Sequence, residues 1–191
     1  TLSLLRAYRA HFDRPLALLH FDAHCDTWTE HFGEPSGHGT WVYEALQEGL
    51  LLPQGVVQVG IRSAAERAAR EHVREQGGLV FEARQLRGLD NAAQLQPVLQ
   101  AVRERMARLG HPPLYLSFDI DCLDPAFAPG TGTPEPGGLS SHQALTLLVA
   151  ALTVTTTLSM TPPGTAAAAE STPVFGGRFS TIPIDVGGSY T

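Results

Sequence analysis

Lysine is missing from the 191 residues: all 13 basic side chains are arginine, set against 19 acidic ones for a net charge of −6. Most arginines sit beside glutamate on helical stretches, so no basic stripe of the kind that grips nucleic acid is present. The acidic balance suits a cationic substrate or plain solubility equally. Cysteine is scarce as well. Cys25 and Cys122 make neither a disulfide framework nor a thiolate zinc site, which leaves reduced, packed thiols and a cytoplasmic setting. No run approaches the ~20 apolar residues of a membrane span, and no charged-then-apolar leader opens the chain. No internal repeat is found. The first residue is Thr1 rather than Met, so a start further upstream is expected.

What is present alternates between helix and strand. Residues 2–12 have helical apolar spacing, and LALLHFD after Pro15 is a nearly continuous apolar run of strand length. A loop rich in His, Gly, Asp and Thr covers 23–40, followed by a short helix, WVYEALQEG. Strands are expected at 56–62, 79–81 and 114–119, and helices after Ser63, over 91–109 and after Ser140. Ser63 with Glu66 reads as a capping box. Strands separated by helices imply a parallel sheet covered on both faces. The last forty residues are rich in Thr, Pro, Gly and Ala; one strand is expected at 152–158 and no ordered element beyond 160.

Two segments carry the chemistry. HFDAHCD places Asp22, His24 and Asp26 where one apolar strand ends, and SFDIDCLDP places Asp119, Asp121 and Asp124 where another ends. Five of the eight aspartates fall here, on the rim where open α/β sheets bind ligands. Clustered carboxylates raise one another's pKa unless a cation neutralises them. Four Asp and a His exceed the needs of one ion and suit two divalent ions about 4 Å apart. Oxygen and imidazole donors favour Mn²⁺ or Mg²⁺. Asp124, before Pro125, reads as a turn former. His38, between glycines, is either a proton shuttle or a surface-loop histidine, and His20, inside the apolar strand, reads as core. The stretch APGTGTPEPGG lacks the lysine of a phosphate loop and reads as a rigid rim.

HFDAHCDTW, GHGT and YLSFDIDCLDPAFAPGTGTPEPGGLS closely resemble motifs of the arginase/agmatinase ureohydrolases, from Thr1 to about Ala151. The resemblance implies a three-layer αβα sandwich around a parallel sheet, incomplete in this chain. It implies that Asp22 and Asp119 bridge two Mn²⁺ ions, that Asp26 binds one ion only, and that His24 and Asp121 complete the other. Water activated between the ions would attack the guanidinium carbon, yielding urea and an amine. Asp121 would pass a proton to the leaving amine, His38 would exchange protons with solvent, and Thr133 would lie near the guanidinium. The wording sides with the agmatinase branch, which implies agmatine as substrate, with 4-guanidinobutyrate and arginine as alternatives. A small cationic guanidino compound, and a trimer or hexamer of the complete protein, are the implied partners. Two segments of the family pattern are not found: a Gly-Gly-Asp-His-Ser run expected before Thr1, and a Val-Glu-Val-like strand end after Ala151. Residues 1–151 are therefore expected to be a partial ureohydrolase domain, and 152–191 an atypical tail, disordered or frameshifted. The rival reading is a metal-binding remnant, and these residues alone are expected to turn over little or no substrate.

Overall fold

The computed structural model describes residues 1–157 and 184–187. The described elements run α1 (Leu2–Phe12), β1 (Leu16–Phe21), α2 (Trp41–Gln47), β2 (Leu51–Ile61), α3 (Arg67–Glu75), β3 (Leu79–Glu82), α4 (Ala83–Leu86), α5 (Ala92–Arg108), β4 (Leu114–Asp119), a 3₁₀ turn (Ile120–Cys122), α6 (Ser141–Thr157) and β5 (Ile184–Gly187). The strands form one sheet in the order β3-β2-β1-β4-β5, with every pairing parallel.

Alternation along β1 builds the three layers. Ala17, Leu19 and Phe21 face one side and pack with α5 and α6 through Leu95, Val98, Leu99, Val102, Leu147 and Ala151. Leu16 and Leu18 face the other side and meet Leu5 of α1, Val42 and Ala45 of α2, and Val73 of α3. All six residues of β1 are buried, as expected of a parallel strand covered on both faces. Each fully buried Leu or Phe contributes ~1.5–3 kcal/mol relative to exposure. Both faces therefore anchor the strand that carries the first acid cluster.

Several elements differ from the sequence reading: β2 begins at Leu51, five residues early, and α4 was not expected. Ser63 does not cap α3, which begins at Arg67 behind Glu66 with no side-chain cap. The backbone N–H groups of Arg62 and Ser63 both donate to the Ala23 carbonyl, which keeps the chain in the β1–β2 layer for longer. The box with this chemistry forms at α4 instead, between Glu82 and Gln85. Residues 152–157, where a strand was expected, are helix, because α6 runs on to Thr157. Its start is set as expected: Ser140 Oγ accepts from the Gln143 N–H and Gln143 Oε1 accepts from the Ser140 N–H. Within the expected tail, β5 pairs with β4 from Leu116↔Ile184 to Asp119↔Gly187. The remaining tail residues, on which the expectation of disorder falls, lie outside the described residues.

Candidate metal centre

The strand order reverses at β1. From there the chain moves outward through β2 to β3, then returns to place β4 on the other flank of β1. Such a switch point opens a crevice at the carboxyl ends of the two strands. The β1–β4 register ends at Phe21↔Phe118, so HFDAHCD and SFDIDC leave the sheet side by side.

Local backbone features turn these acids toward one another. Asp26 has φ 54°, a left-handed conformation that Asp tolerates better than most residues. Its carbonyl accepts from Val42 and Tyr43 at the start of α2, and its Oδ2 accepts from Trp41 Nε1 at 2.6 Å. Asp22 Oδ1 accepts from the His24 backbone N–H at 2.6 Å. On the β4 side, Asp119 Oδ1 accepts from the Asp121 N–H, which starts the 3₁₀ turn. Asp121 Oδ1 then reaches across to the Ala23 N–H at 3.0 Å. Thr133 Oγ1 donates to Asp121 Oδ2 at 3.0 Å. Asp124 is a turn former as expected, its carboxylate accepting from Ala126, Gly137 and Gly138.

The outcome is two ligand triads sharing one carboxylate. Asp22, His24 and Asp121 each bring a ligand atom within 4.8 Å of the others, as do His20, Asp22 and Asp26. His24 Nδ1 lies 3.2 Å from Asp22 Oδ1 and 3.0 Å from Asp121 Oδ2. Asp119 joins neither triad but lines the same cavity, of about 470 Å³, as do His38 and Thr133. All seven residues singled out for chemistry thus meet in one crevice, with His38 exposed on its wall.

Electrostatics expose the strain of this gathering. Burial, and then the charge of Asp22, push the Asp119 acid up to about 7. The same two causes carry Asp26 well above the usual carboxylate range. Burial opposes charge on His24, but hydrogen bonds to Asp121 and Asp22 outweigh it and raise its pKa to about 10. Burial alone would raise Asp22, yet its contacts with His20 and His24 hold it low. Carboxylates in such mutual conflict are relieved by a cation. The oxygen-and-imidazole donors fit a hard divalent ion, and neither cysteine joins a triad among the described residues.

A pH dependence follows. In the metal-free chain the raised Asp119 contributes stability that is complete below its unfolded value of 3.8 and is lost as pH rises through about 7. His24 behaves alike between 6.5 and about 10. Asp22 is opposite in sign, its contribution being present above 3.8 and lost on acidification. The metal-free protein is therefore expected to melt highest near pH ~5 and progressively lower toward pH ~9. Added Mn²⁺ should raise the melting temperature more at pH ~8 than at pH ~6, because bound ligands must be deprotonated. Thermal unfolding with and without the ion checks this; a larger metal effect at the lower pH would contradict it.

The family model described as the arginase family matches residues 1–160. The chain belongs to the arginase family. An agmatinase of Photorhabdus laumondii is 47% identical to it over 148 residues, covering 78% of this chain and 43% of that one. The crystal structure of a hypothetical agmatinase from Burkholderia thailandensis superposes with a TM-score of 0.64 at 42% identity, over 78% of this chain and 43% of the other. Proclavaminate amidino hydrolase from Streptomyces clavuligerus gives a TM-score of 0.66 at 38% identity, over 78% and 46%. The chain thus spans less than half the length of each of these relatives.

Three residues of this arginase-family site escaped the sequence reading. His20 is 1% exposed, as core status requires, but its ring faces Asp22 and Asp26. Trp41 was visible only as the first residue of a helix. Arg62 donates to six backbone carbonyls, those of Gly60, Asp121, Cys122, Leu123, Glu135 and Pro136. It ties the rim segment to the β4 turn. Its one signal was the Gly60 before it, which has φ 101° and sits at a register shift between β2 and β3. A Cβ there would lie 3.0 Å from the Asp22 carbonyl oxygen.

Proposed function

We propose that this crevice is the metal centre of a manganese-dependent ureohydrolase that hydrolyses agmatine to putrescine and urea. The observation that carries the reading is the meeting of Asp22, His24 and Asp26 from one strand end with Asp119 and Asp121 from another in a single cavity. The family membership and the agmatinase relatives support it.

Asp22, Asp26, Asp119, Asp121 and His24 Nδ1 would hold two Mn²⁺ ions. When bound, the ions supply Lewis-acid charge and lower the pKa of water. The Asp121 carboxylate, its orientation set by Thr133 and by the Ala23 N–H, would take up a proton given off by the attacking water and hand it to the leaving amine. His38, exposed at the cavity wall, would exchange protons with solvent. Trp28 and Trp41 would exclude water and offer aromatic faces to a cation. Glu30, also lining the cavity, would favour the terminal ammonium of agmatine and repel the carboxylate of 4-guanidinobutyrate. Two buried free thiols, Cys25 and Cys122, fit a reducing, cytoplasmic setting.

Urea release from agmatine, arginine and 4-guanidinobutyrate, with and without Mn²⁺, tests the reading. Slow, Mn²⁺-dependent release from agmatine ahead of the other two is expected. Equal release from all three would remove the substrate assignment. Bound Mn²⁺ with no urea from any substrate would favour the metal-binding remnant instead.

A further inference from the structure

His20 belongs to one triad, yet the contacts around its ring leave no lone pair on Nε2 for a metal. Gln58 stands beside it as its register partner on β2, and is 0% exposed. The Gln58 amide nitrogen donates to the Cys25 carbonyl at 2.7 Å and lies 3.2 Å from His20 Nδ1. Turning the amide over would set its oxygen against the Cys25 carbonyl oxygen, two acceptors at hydrogen-bond distance, so the backbone decides the orientation. An amide N–H aimed at Nδ1 requires that nitrogen to be bare. The ring proton then sits on Nε2, which is 2.9 Å from Asp22 Oδ2. Trp41 packs against the ring at 5.0 Å and 78°, which opposes rotation of the imidazole.

We propose that His20 is not a metal ligand but a positioning residue, locked by Gln58 as the Nε2–H tautomer to orient the carboxylate that both triads share. The assignment rests on the metal-centre reading above. A relay runs from the Cys25 carbonyl through Gln58 and His20 to Asp22, so the loop that carries the ligands helps to fix its own key carboxylate. Trp41 does the same for Asp26 through a single bond. Partners of ligating carboxylates set metal affinity as well as geometry, and removing one typically costs ~10–100-fold.

Three measurements on the 191-residue chain test this. Nitrogen-15 NMR of the metal-free protein, and of the protein with diamagnetic Mg²⁺, should show His20 with Nε2 protonated and Nδ1 bare. Mn²⁺ titration should show His20→Leu weakened by ~10–100-fold. His20→Gln, which returns an N–H donor near the Nε2 position, should recover most of that loss. Spin-echo spectra of bound Mn²⁺ should show the same directly bonded nitrogen in His20→Gln as in the unsubstituted chain. A proton on Nδ1, a lost Mn–nitrogen coupling in His20→Gln, or full affinity in His20→Leu would each overturn the assignment. The NMR result stands even if His20→Leu does not fold. An unsubstituted chain that binds no Mn²⁺ would sink the metal-centre reading and this role together. A misplaced ring proton with Mn²⁺ binding intact would sink this role alone.

Discussion

Asp22→Asn is expected to lower Mn²⁺ affinity by more than ~100-fold, since loss of an outer partner alone costs ~10–100-fold and Asp22 is the carboxylate common to both triads. The exchange keeps the size of the side chain and removes only the charge. In the metal-free state His24 and His20 each meet a different oxygen of Asp22, and the amide leaves an acceptor for only one of them. Removing one member of such a buried charged group costs ~3–5 kcal/mol. Asp124→Asn is the control, because it removes the same charge a short distance away. Asp124 accepts three backbone N–H groups of the rim, so its loss should cost ~1–3 kcal/mol of stability and leave Mn²⁺ affinity within a few-fold. Calorimetric titration separates the two. Equal losses of affinity would mean that the crevice attracts Mn²⁺ by net charge and not by arrangement.

The second large effect is expected at Arg62. Its guanidinium gathers carbonyls from three separate stretches: the end of β2, the turn after β4 and the rim at Glu135–Pro136. Arg62→Ala leaves these acceptors without their charged donor and should destabilise the fold by ~3–4 kcal/mol. Arg62→Lys keeps the charge but offers one compact ammonium in place of a planar fork, and should recover less than half of that. Because Arg62 grips the Asp121 carbonyl itself, Mn²⁺ affinity should fall along with stability in urea unfolding. Unfolding curves for Arg62→Ala that overlay the unsubstituted chain would refute the clamp.

The contrast between Asp22 and Arg62 marks what can be read from sequence alone. The acid clusters are conspicuous because carboxylates seldom crowd the end of an apolar run, and the cost of crowding them points to a cation. The parallel αβα architecture is legible for the same reason that β1 reads as one apolar block: it is covered on both faces. Arg62 is one of 13 arginines and nothing in its type sets it apart. Its importance arises from the bulge at Gly60, which aims the strand end under the rim. His20 was read as core and is indeed buried, but the left-handed turn at Asp26 brings a second carboxylate back over it, and no periodicity shows that. The strand expected at 152–158 covers the β-branched run TVTTT, a composition that suits a strand. Ala144, Leu147 and Ala151 already commit the helix to the core, and extending a formed helix is easier than nucleating a strand.

The bond from the Ala23 N–H to Asp121 Oδ1 spans 98 residues of sequence. All of β2 and β3 lie between its ends. While the chain is being synthesised, Asp22, His24 and Asp26 leave the ribosome long before Asp119 and Asp121. The two halves of the centre cannot meet until β4 has docked against β1, and such distant pairing is slow. The centre is thus a late product of folding, and a metal ion has no complete site to nucleate at the outset. A chelator present during refolding should leave the rate of sheet formation unchanged and act only on the finished fold.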